Sequence, residues 1–566
     1  KSDPGNAGWQ RDLSVSHNKV GDVLVAQGNL PAALDAYRAS LAIAERLVKS
    51  DPGNAGWQRD LSVSHNKVGD VLRAQGNLPA ALDAYRASLA IAERLAKSDP
   101  GNAGWQRDLS VSQDRIGDVL RAQGNLPAAL DAYRASLAIA ERLVKSDPGN
   151  AGWQRDLTVS HNRIGDVLRA QGNLPAALDA YQAGFAIAER LAKSDPGNAG
   201  WQRDLTVSHD RTGDVLRAQG NLPAALDAYR ASLAIRERLA KSDPGNAGWQ
   251  RDLSVSQNNI GSVLVAQGNL PAALDGYRAS LAIAERLAKA DPTNAGWQSD
   301  LSASLTRIGA AQQAQGNFAE ALESYKAALA VDERLAKSDP AATSTRQRAL
   351  SVSHDRIGAV QQVLGDLAGA LESYRAALAI LEGLANTGDT NVDWQRLANA
   401  HSKIAGVLYA RGDRSGALAS WRRALAAAER NAAAAEAAET KSAGKPGAKT
   451  AETQAVVAWF ALFAREFKTA LAASERARAL APDLIWIDTN RAHALMFLKR
   501  TRQARALYLM HKGKIVQNKP WERVIAEDFA ELRKAGLANP LMAQIEQALG
   551  VAPVPAVRQT QGRRKG

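Results

Sequence analysis

Apolar residues recur along the first 48 positions in two registers. Trp9, Leu13, Val20 and Leu24 are spaced 4, 7 and 4, one stripe of an α-helix, and Leu30, Ala33, Tyr37, Leu41, Ala44 and Val48 form a second such stripe. The spacing predicts two amphipathic helices of about 20 residues, each roughly 30 Å long. Between them Gly28 ends the first helix in left-handed backbone, and Asn29 with Pro31 opens the second as N-cap and first-turn proline. Asp3-Pro4-Gly5-Asn6 punctuates the other end, with Asn6 capping the helix that carries Trp9.

The same unit begins again at Lys49, Lys97, Lys145, Lys193 and Lys241. A looser copy starts at Lys289, another at Lys337 with one residue inserted before Leu350, and a ninth runs through Trp394. A hairpin with an apolar stripe on each arm cannot bury both alone, so each copy stacks on the next and the expected fold is an all-α helical-hairpin solenoid.

These residues also carry a resemblance. His17-x2-Val20-Gly21-x2-Leu24 followed by Ala33-x3-Tyr37 resembles the tetratricopeptide repeat pattern, with Tyr85, Tyr133, Tyr181, Tyr229, Tyr277, Tyr325, Tyr374 and finally Trp421 repeating the aromatic. His17 stands where the family has Trp, Leu24 where it has Tyr, and Glu45 where it has a helix-ending Pro; without that proline the second helix continues and the period lengthens to 48. The resemblance implies a right-handed superhelix whose first helices line a concave, protein-binding surface. Trp459 to Leu549 is similar to the carboxyl-terminal part of bacterial proteins that join long repeats to a caspase-like or TIR-like effector domain, which is absent from these residues. The start at Lys1, on a repeat boundary and without Met, reads as a fragment of a longer chain.

On the outward stripe of the first helix lie Val15, Asn18, Asp22 and Val25, and there the copies differ. Val25 becomes Arg73, Arg121, Arg169 and Arg217, then Val265; Asn18 recurs as Asn66 and Asn162 but alternates with Asp114 and Asp210; Asp22 recurs as Asp70, Asp118, Asp166 and Asp214, then gives way to Ser262. One reading is a plain solvated face. The other is a groove for a polar, mixed-charge protein or peptide segment, in which the four aspartates of copies two to five take its cations and the four arginines its carboxylates. Asp70 precedes Arg73 by three, as Asp118 precedes Arg121, so each arginine has a carboxylate on its own helix and the ladder is zwitterionic. That, with no aromatic stacking platform, disfavours nucleic acid in the groove. Copies seven and eight replace the Asp and Arg by Ala310 and Gln313, then Ala359 and Gln362.

Charge and composition narrow the picture further. The net charge of +13 is concentrated at the end: residues 500–566 hold 13 Lys or Arg against 5 Asp or Glu, most plainly Arg558 and Arg563-Arg564-Lys565. A polyanion-binding role through the arginine ladder and this tail, and a structural or self-associating role, are the alternatives to a protein-binding scaffold. Cysteine is absent, no run of 18 apolar residues occurs, and a soluble, cytoplasmic chain is expected. His17, His65, His161 and His209 give way to Gln113, Gln257 and Leu305, so they read as packing positions and not metal ligands; the repeated tryptophans from Trp9 to Trp297 read as core anchors. No nucleophile–base pair or phosphate-cradling glycine loop is found, so no catalytic residue, metal or cofactor is assigned and no enzyme is expected. The expected organisation is nine extended repeats over 1–440, a flexible linker over 441–450, two 34-residue repeats over 451–517, capping helices over 518–550 and a disordered basic tail over 551–566. Oligomeric state and partner identity are not encoded in any of these patterns.

Overall fold

The structure, a computed structural model, describes residues 5–338, 343–386 and 393–553. Among the described residues it is all-α apart from one hairpin of two two-residue strands, and it divides into two compact units, 1–269 and 270–566. The division falls inside the sixth copy, so the array expected over 1–440 is distributed over both units. The tail from 554 onward, with Arg558 and Arg563 to Lys565, lies outside the described residues.

Unit one holds α1 (Ala7–Ala26), α2 (Leu30–Ser50), α3 (Ala55–Ala74), α4 (Leu78–Ser98), α5 (Ala103–Ala122), α6 (Leu126–Ser146), α7 (Ala151–Ala170), α8 (Leu174–Ser194), α9 (Ala199–Ala218), α10 (Leu222–Ser242) and α11 (Ala247–Ala266). The expected punctuation is present. Asn6 accepts from the Trp9 amide at 3.1 Å, Asn29 from the Ala32 amide at 3.3 Å, and Gly28 turns the chain at φ 77°. Each helix packs on its sequence neighbours, so an even-numbered helix lies between its own first helix and that of the next copy. It therefore buries a wider face than one stripe: Leu34, Ser40, Ile43 and Leu47 join Ala33, Tyr37 and Ala44. Gly69 explains the glycine of the pattern, because a Cβ there would sit 2.6 Å from the ring of the buried Tyr85.

One sequence expectation is refined here. The tryptophans are anchors at the seam edge and not fully buried: Trp57, Trp105, Trp153, Trp201 and Trp249 are half-buried, with Trp105 and Trp201 packed on buried apolar clusters, and Trp9 of the first hairpin is 53% exposed. The following glutamine does the inward work; Gln202 donates to the Ala192 carbonyl at 2.9 Å and Gln250 to Ala240 at 3.2 Å. The seam also carries buried polar contacts. Ser62 and Ser88 share a hydrogen bond of 2.8 Å, Ser88 and Ser112 one of 3.3 Å, and Ser110 and Ser136 one of 2.8 Å, a buried hydroxyl chain linking successive hairpins.

Unit two continues with α12 (Leu270–Ala290), α13 (Ala295–Ala314), α14 (Phe318–Ser338), α15 (Thr343–Val363), α16 (Leu367–Asn386), α17 (Trp394–Ala410) and α18 (Arg414–Ala443). The stretch 441–450, expected as a flexible linker, instead holds the end of α18, a short turn, and the start of α19 (Ala448–Phe463). Gly444 stops α18 at φ 74°, and the Glu439 carboxylate then accepts from the amides of Gly447, Lys449 and Thr450 at 2.7, 2.9 and 3.0 Å and from the Thr450 hydroxyl at 2.6 Å. These donors, the Thr450 hydroxyl foremost, pull the Glu439 carboxyl down to about 2. One helix thus caps the next. Beyond come α20 (Phe467–Leu480), α21 (Ile487–Phe497), α22 (Thr501–Met510), the hairpin of β1 (Ile515–Val516) and β2 (Lys519–Pro520), α23 (Trp521–Lys534) and α24 (Pro540–Leu549). Trp421, Phe463, Tyr508, Trp521 and Phe529 anchor one large core here. His493 is buried within it between the Tyr508 hydroxyl at 2.7 Å and Asp528 at 3.1 Å.

Candidate functional site

The twelve groove residues fall into three rows along α3, α5, α7 and α9, and the rows differ in what they can offer. The aspartates are engaged from within. Asp70 accepts from the Tyr85 hydroxyl at 2.7 Å, Asp118 from Tyr133 at 2.6 Å, Asp166 from Tyr181 at 2.6 Å and Asp214 from Tyr229 at 2.5 Å. A cation from the following copy completes three of these sites: Arg115 binds Asp70, Arg163 lies 3.6 Å from Asp118, and Arg211 binds Asp166. Lys67 does the same for Asp22 at 2.6 Å. Each of these cations also sits over the ring of the tyrosine it faces, Arg163 at 5.7 Å from the Tyr133 centroid and Lys67 at 5.7 Å from Tyr37. Burial, and then the neighbouring carboxylate, hold the Tyr85 phenol far above its ordinary range.

These clamp cations were not among the residues singled out from sequence. Their signal was available: the position after Asn18 is Lys19, Lys67, Arg115, Arg163, Arg211, Arg307, Arg356 and Lys403, with Asn259 the exception.

The row of Asn66, Asp114, Asn162 and Asp210 turns into the seam. Among the described residues, Oδ1 of each is buried without a hydrogen bond. Asp114 finds a cation in Arg163 at 2.6 Å. For Asp210 the position equivalent to Arg163 is Asn259, and the carboxylate instead finds Arg236 at 2.7 Å, a buried arginine where copies one to four carry alanine. Burial raises the carboxyls of Asp114 and Asp210, against the pull of those arginines.

The arginine row alone faces outward. Arg73, Arg121, Arg169 and Arg217 are 45, 45, 42 and 46% exposed. The intrahelical pairing expected from sequence is realised only at Asp214–Arg217, 3.9 Å; elsewhere the contact runs to the next copy, Arg73 to Asp118 at 3.9 Å, Arg121 to Asp166 at 3.6 Å and Arg169 to Asp214 at 3.3 Å. The tyrosine hydroxyl fixes each aspartate toward the seam, so the neighbouring helix reaches it first. These are long, solvent-accessible contacts worth about 0–1 kcal/mol each. A cavity of about 370 Å³ opens among Arg73, Arg121, Arg163 and Arg211.

Of catalytic chemistry the face offers donors and carboxylates and no nucleophile poised on a base. Among the described residues no three His, Asp or Glu side chains gather as a metal would require, and burial lowers the imidazole pKa of His65, His161 and His209.

Models of the tetratricopeptide repeat match residues 12–94 and 60–142, 213–244 and 254–293, and 302–334. The chain carries tetratricopeptide repeats. The tetratricopeptide hairpins are also similar to solved structures of low identity: BtubC from P. vanneervenii, 18% identical over 46% of this chain and 92% of that one, TM-score 0.37; the apo form of RapI, 11% identical over 74% and 98%, TM-score 0.43; and a signal transduction ATPase with numerous domains that has a tetratricopeptide repeat sensor, from Pyrococcus horikoshii, 12% identical over 67% and 50%, TM-score 0.40. No curated protein matches the chain. No helix among the described residues is long and apolar enough to cross a membrane.

Proposed function

We propose that the tetratricopeptide array is a non-enzymatic scaffold that binds a protein or peptide segment along the face of α3, α5, α7 and α9, with the arginine row making the contact. The observation that supports this is the contrast between rows. The aspartates and the Asn66 row are consumed by tyrosines, seam contacts and cations of the array itself, whereas Arg73, Arg121, Arg169 and Arg217 keep half-exposed guanidiniums at equal spacing. The segment that fits is polar and carries carboxylates for those guanidiniums; the mixed charge expected from sequence would draw on aspartates that the array itself already engages. Each contact is weak, so affinity comes from several copies acting together. In the larger setting we read the array as the recognition arm of a bacterial signalling or defence protein, on the resemblance of residues 459–549 alone.

Replacing the four arginines by Val, which stands at the same position as Val25 and Val265, should leave helix content unchanged and abolish capture of the partner. The measurement is a quantitative pull-down of parent against quadruple variant. An unchanged set of bound proteins would reduce the row to surface drift.

A further inference from the structure

In unit two the tyrosine–cation stack persists at one place without its carboxylate. Arg356 of α15 lies 5.9 Å from the Tyr325 centroid, as Arg163 lies over Tyr133, but the α13 position that supplies an aspartate in copies one to five is Ala310. The Tyr325 hydroxyl donates instead to Gln313 at 3.1 Å. The second position that feeds such a cation, used by Asp114 for Arg163 and by Asp355 for Lys403 at 2.6 Å, is Thr306 here. Among the described residues no carboxylate pairs with Arg356 or with Arg307, its counterpart on α13.

Beside this stack opens a cavity of about 630 Å³, within the ~300–1,000 Å³ typical of small-molecule sites and far larger than one water. Arg307 and Arg356 line it, together with Arg396, which already pairs with Asp393 at 2.9 Å, and among the described residues the carboxylate in its wall is Asp332. That carboxylate is buried and already accepts from the Ser353 hydroxyl at 2.8 Å. The equivalent face in unit one balances its arginines with Asp118, Asp166 and Asp204. A half-buried guanidinium over an aromatic ring, with no aspartate at the position that pairs with it in earlier copies and a cavity beside it, has the donor geometry that oxyanions take.

We infer that this cavity is a binding site for a small oxyanion, phosphate or carboxylate, held on Arg356 with Arg307 and standing where the array's own aspartate stands elsewhere. The site is independent of the arginine row in unit one. The test is calorimetric titration of the full chain with inorganic phosphate and, separately, with citrate at constant ionic strength, on the parent, Arg356→Gln and Ala310→Asp. Ala310→Asp restores the internal carboxylate that copies one to five carry. The parent should bind one of the two anions saturably, the arm that binds naming the oxyanion class, and both variants should lose at least tenfold in affinity with unchanged helix content. Absence of saturable binding to the parent would overturn the inference, as would equal binding by both variants, which would trace capture to other cations. Loss in Arg356→Gln with retention in Ala310→Asp would refute the replacement of an internal carboxylate. Should Ala310→Asp fail to fold, Arg356→Gln decides by itself, retention of binding refuting the site.

Discussion

Arg236 is the substitution whose effect the structure defines most sharply. It is buried in α10, pairs with Asp210 at 2.7 Å and donates to the Ser256 hydroxyl of α11 at 2.7 Å. Arg236→Ala installs the residue that copies one to four use at this place, so volume alone is well tolerated, but it strands the Asp210 charge in the seam. Removing one partner of a buried pair costs about 3–5 kcal/mol. Adding Asp210→Asn recreates the Asn162 and Ala188 combination of copy four and should return stability to within ~1 kcal/mol of the parent. A pH signature separates charge burial from lost packing. Burial already raises the Asp210 carboxyl, and Arg236 opposes that. Without the arginine the folded pKa rises further above its unfolded value, so folding is penalised above the folded pKa and the penalty is relieved as pH falls through the folded pKa toward the unfolded one. The deficit of Arg236→Ala should therefore shrink on acidification, once pH falls below the raised folded pKa of Asp210, and that of the double variant should not change. Hydrogen exchange read by mass spectrometry over α9, α10 and α11, with urea unfolding, measures both. A deficit below ~0.5 kcal/mol, or no rescue by Asp210→Asn, would show that the pair is solvated and the reasoning wrong.

Two further outcomes follow from burial. His401 is buried, and burial, then Arg423, pushes its imidazole down to about 4. The unfolded chain then takes its proton near 6.5 while the folded chain does not, so stability present above that pH is lost as pH falls toward 4, by ~2 kcal/mol at pH 5; His401→Gln should flatten this acid limb in calorimetry, and an unchanged limb would assign it to other groups. In α1, Trp9, Leu13 and Val20 are exposed, whereas Leu61 and Val68 at the same positions of α3 are buried under the preceding hairpin. Amide exchange in α1 should be faster than in α3, α5 and α7, and equal protection would mean that the stripe is covered in solution.

The hairpin itself was legible because its signals are local. Gly28, Asn29 and Pro31 act within a few residues, and the 3.6-residue stripe lies on one helix, so both helices and their caps could be read from the first copy. The second buried face of each even-numbered helix was not, since Ser40, Ile43 and Leu47 acquire their meaning only when the next copy packs on them. The tryptophans misled for the same reason. Trp57 has the size and register of an anchor, but at the edge of the seam the smaller Gln58, tied to the Pro52 carbonyl, takes the buried place. The stretch 441–450 has linker composition, and no local pattern showed that Glu439 would clasp the next helix.

The electrostatics of the face obey a second period that no single hairpin contains. Within one helix Asp70 and Arg73 are natural partners at i,i+3, yet Arg73 reaches Asp118 and Asp70 receives Arg115, each separated by 45 residues, one copy less one helical turn. The longer period prevails because the tyrosine hydroxyl has already oriented the aspartate toward the neighbouring helix. Once that period is known, departures from the repeat become informative in pairs. Asn259 withdraws the cation owed to copy five, and Arg236 restores one from inside the same copy. Ala310 withdraws the carboxylate owed to Arg356, and no described residue restores it. Drift would break such pairs at random and leave buried charges behind. One break here is closed by a residue found in no other copy, and the other opens onto a cavity, so the two sites differ in kind: the first holds the array together, and the second receives an anion from outside it.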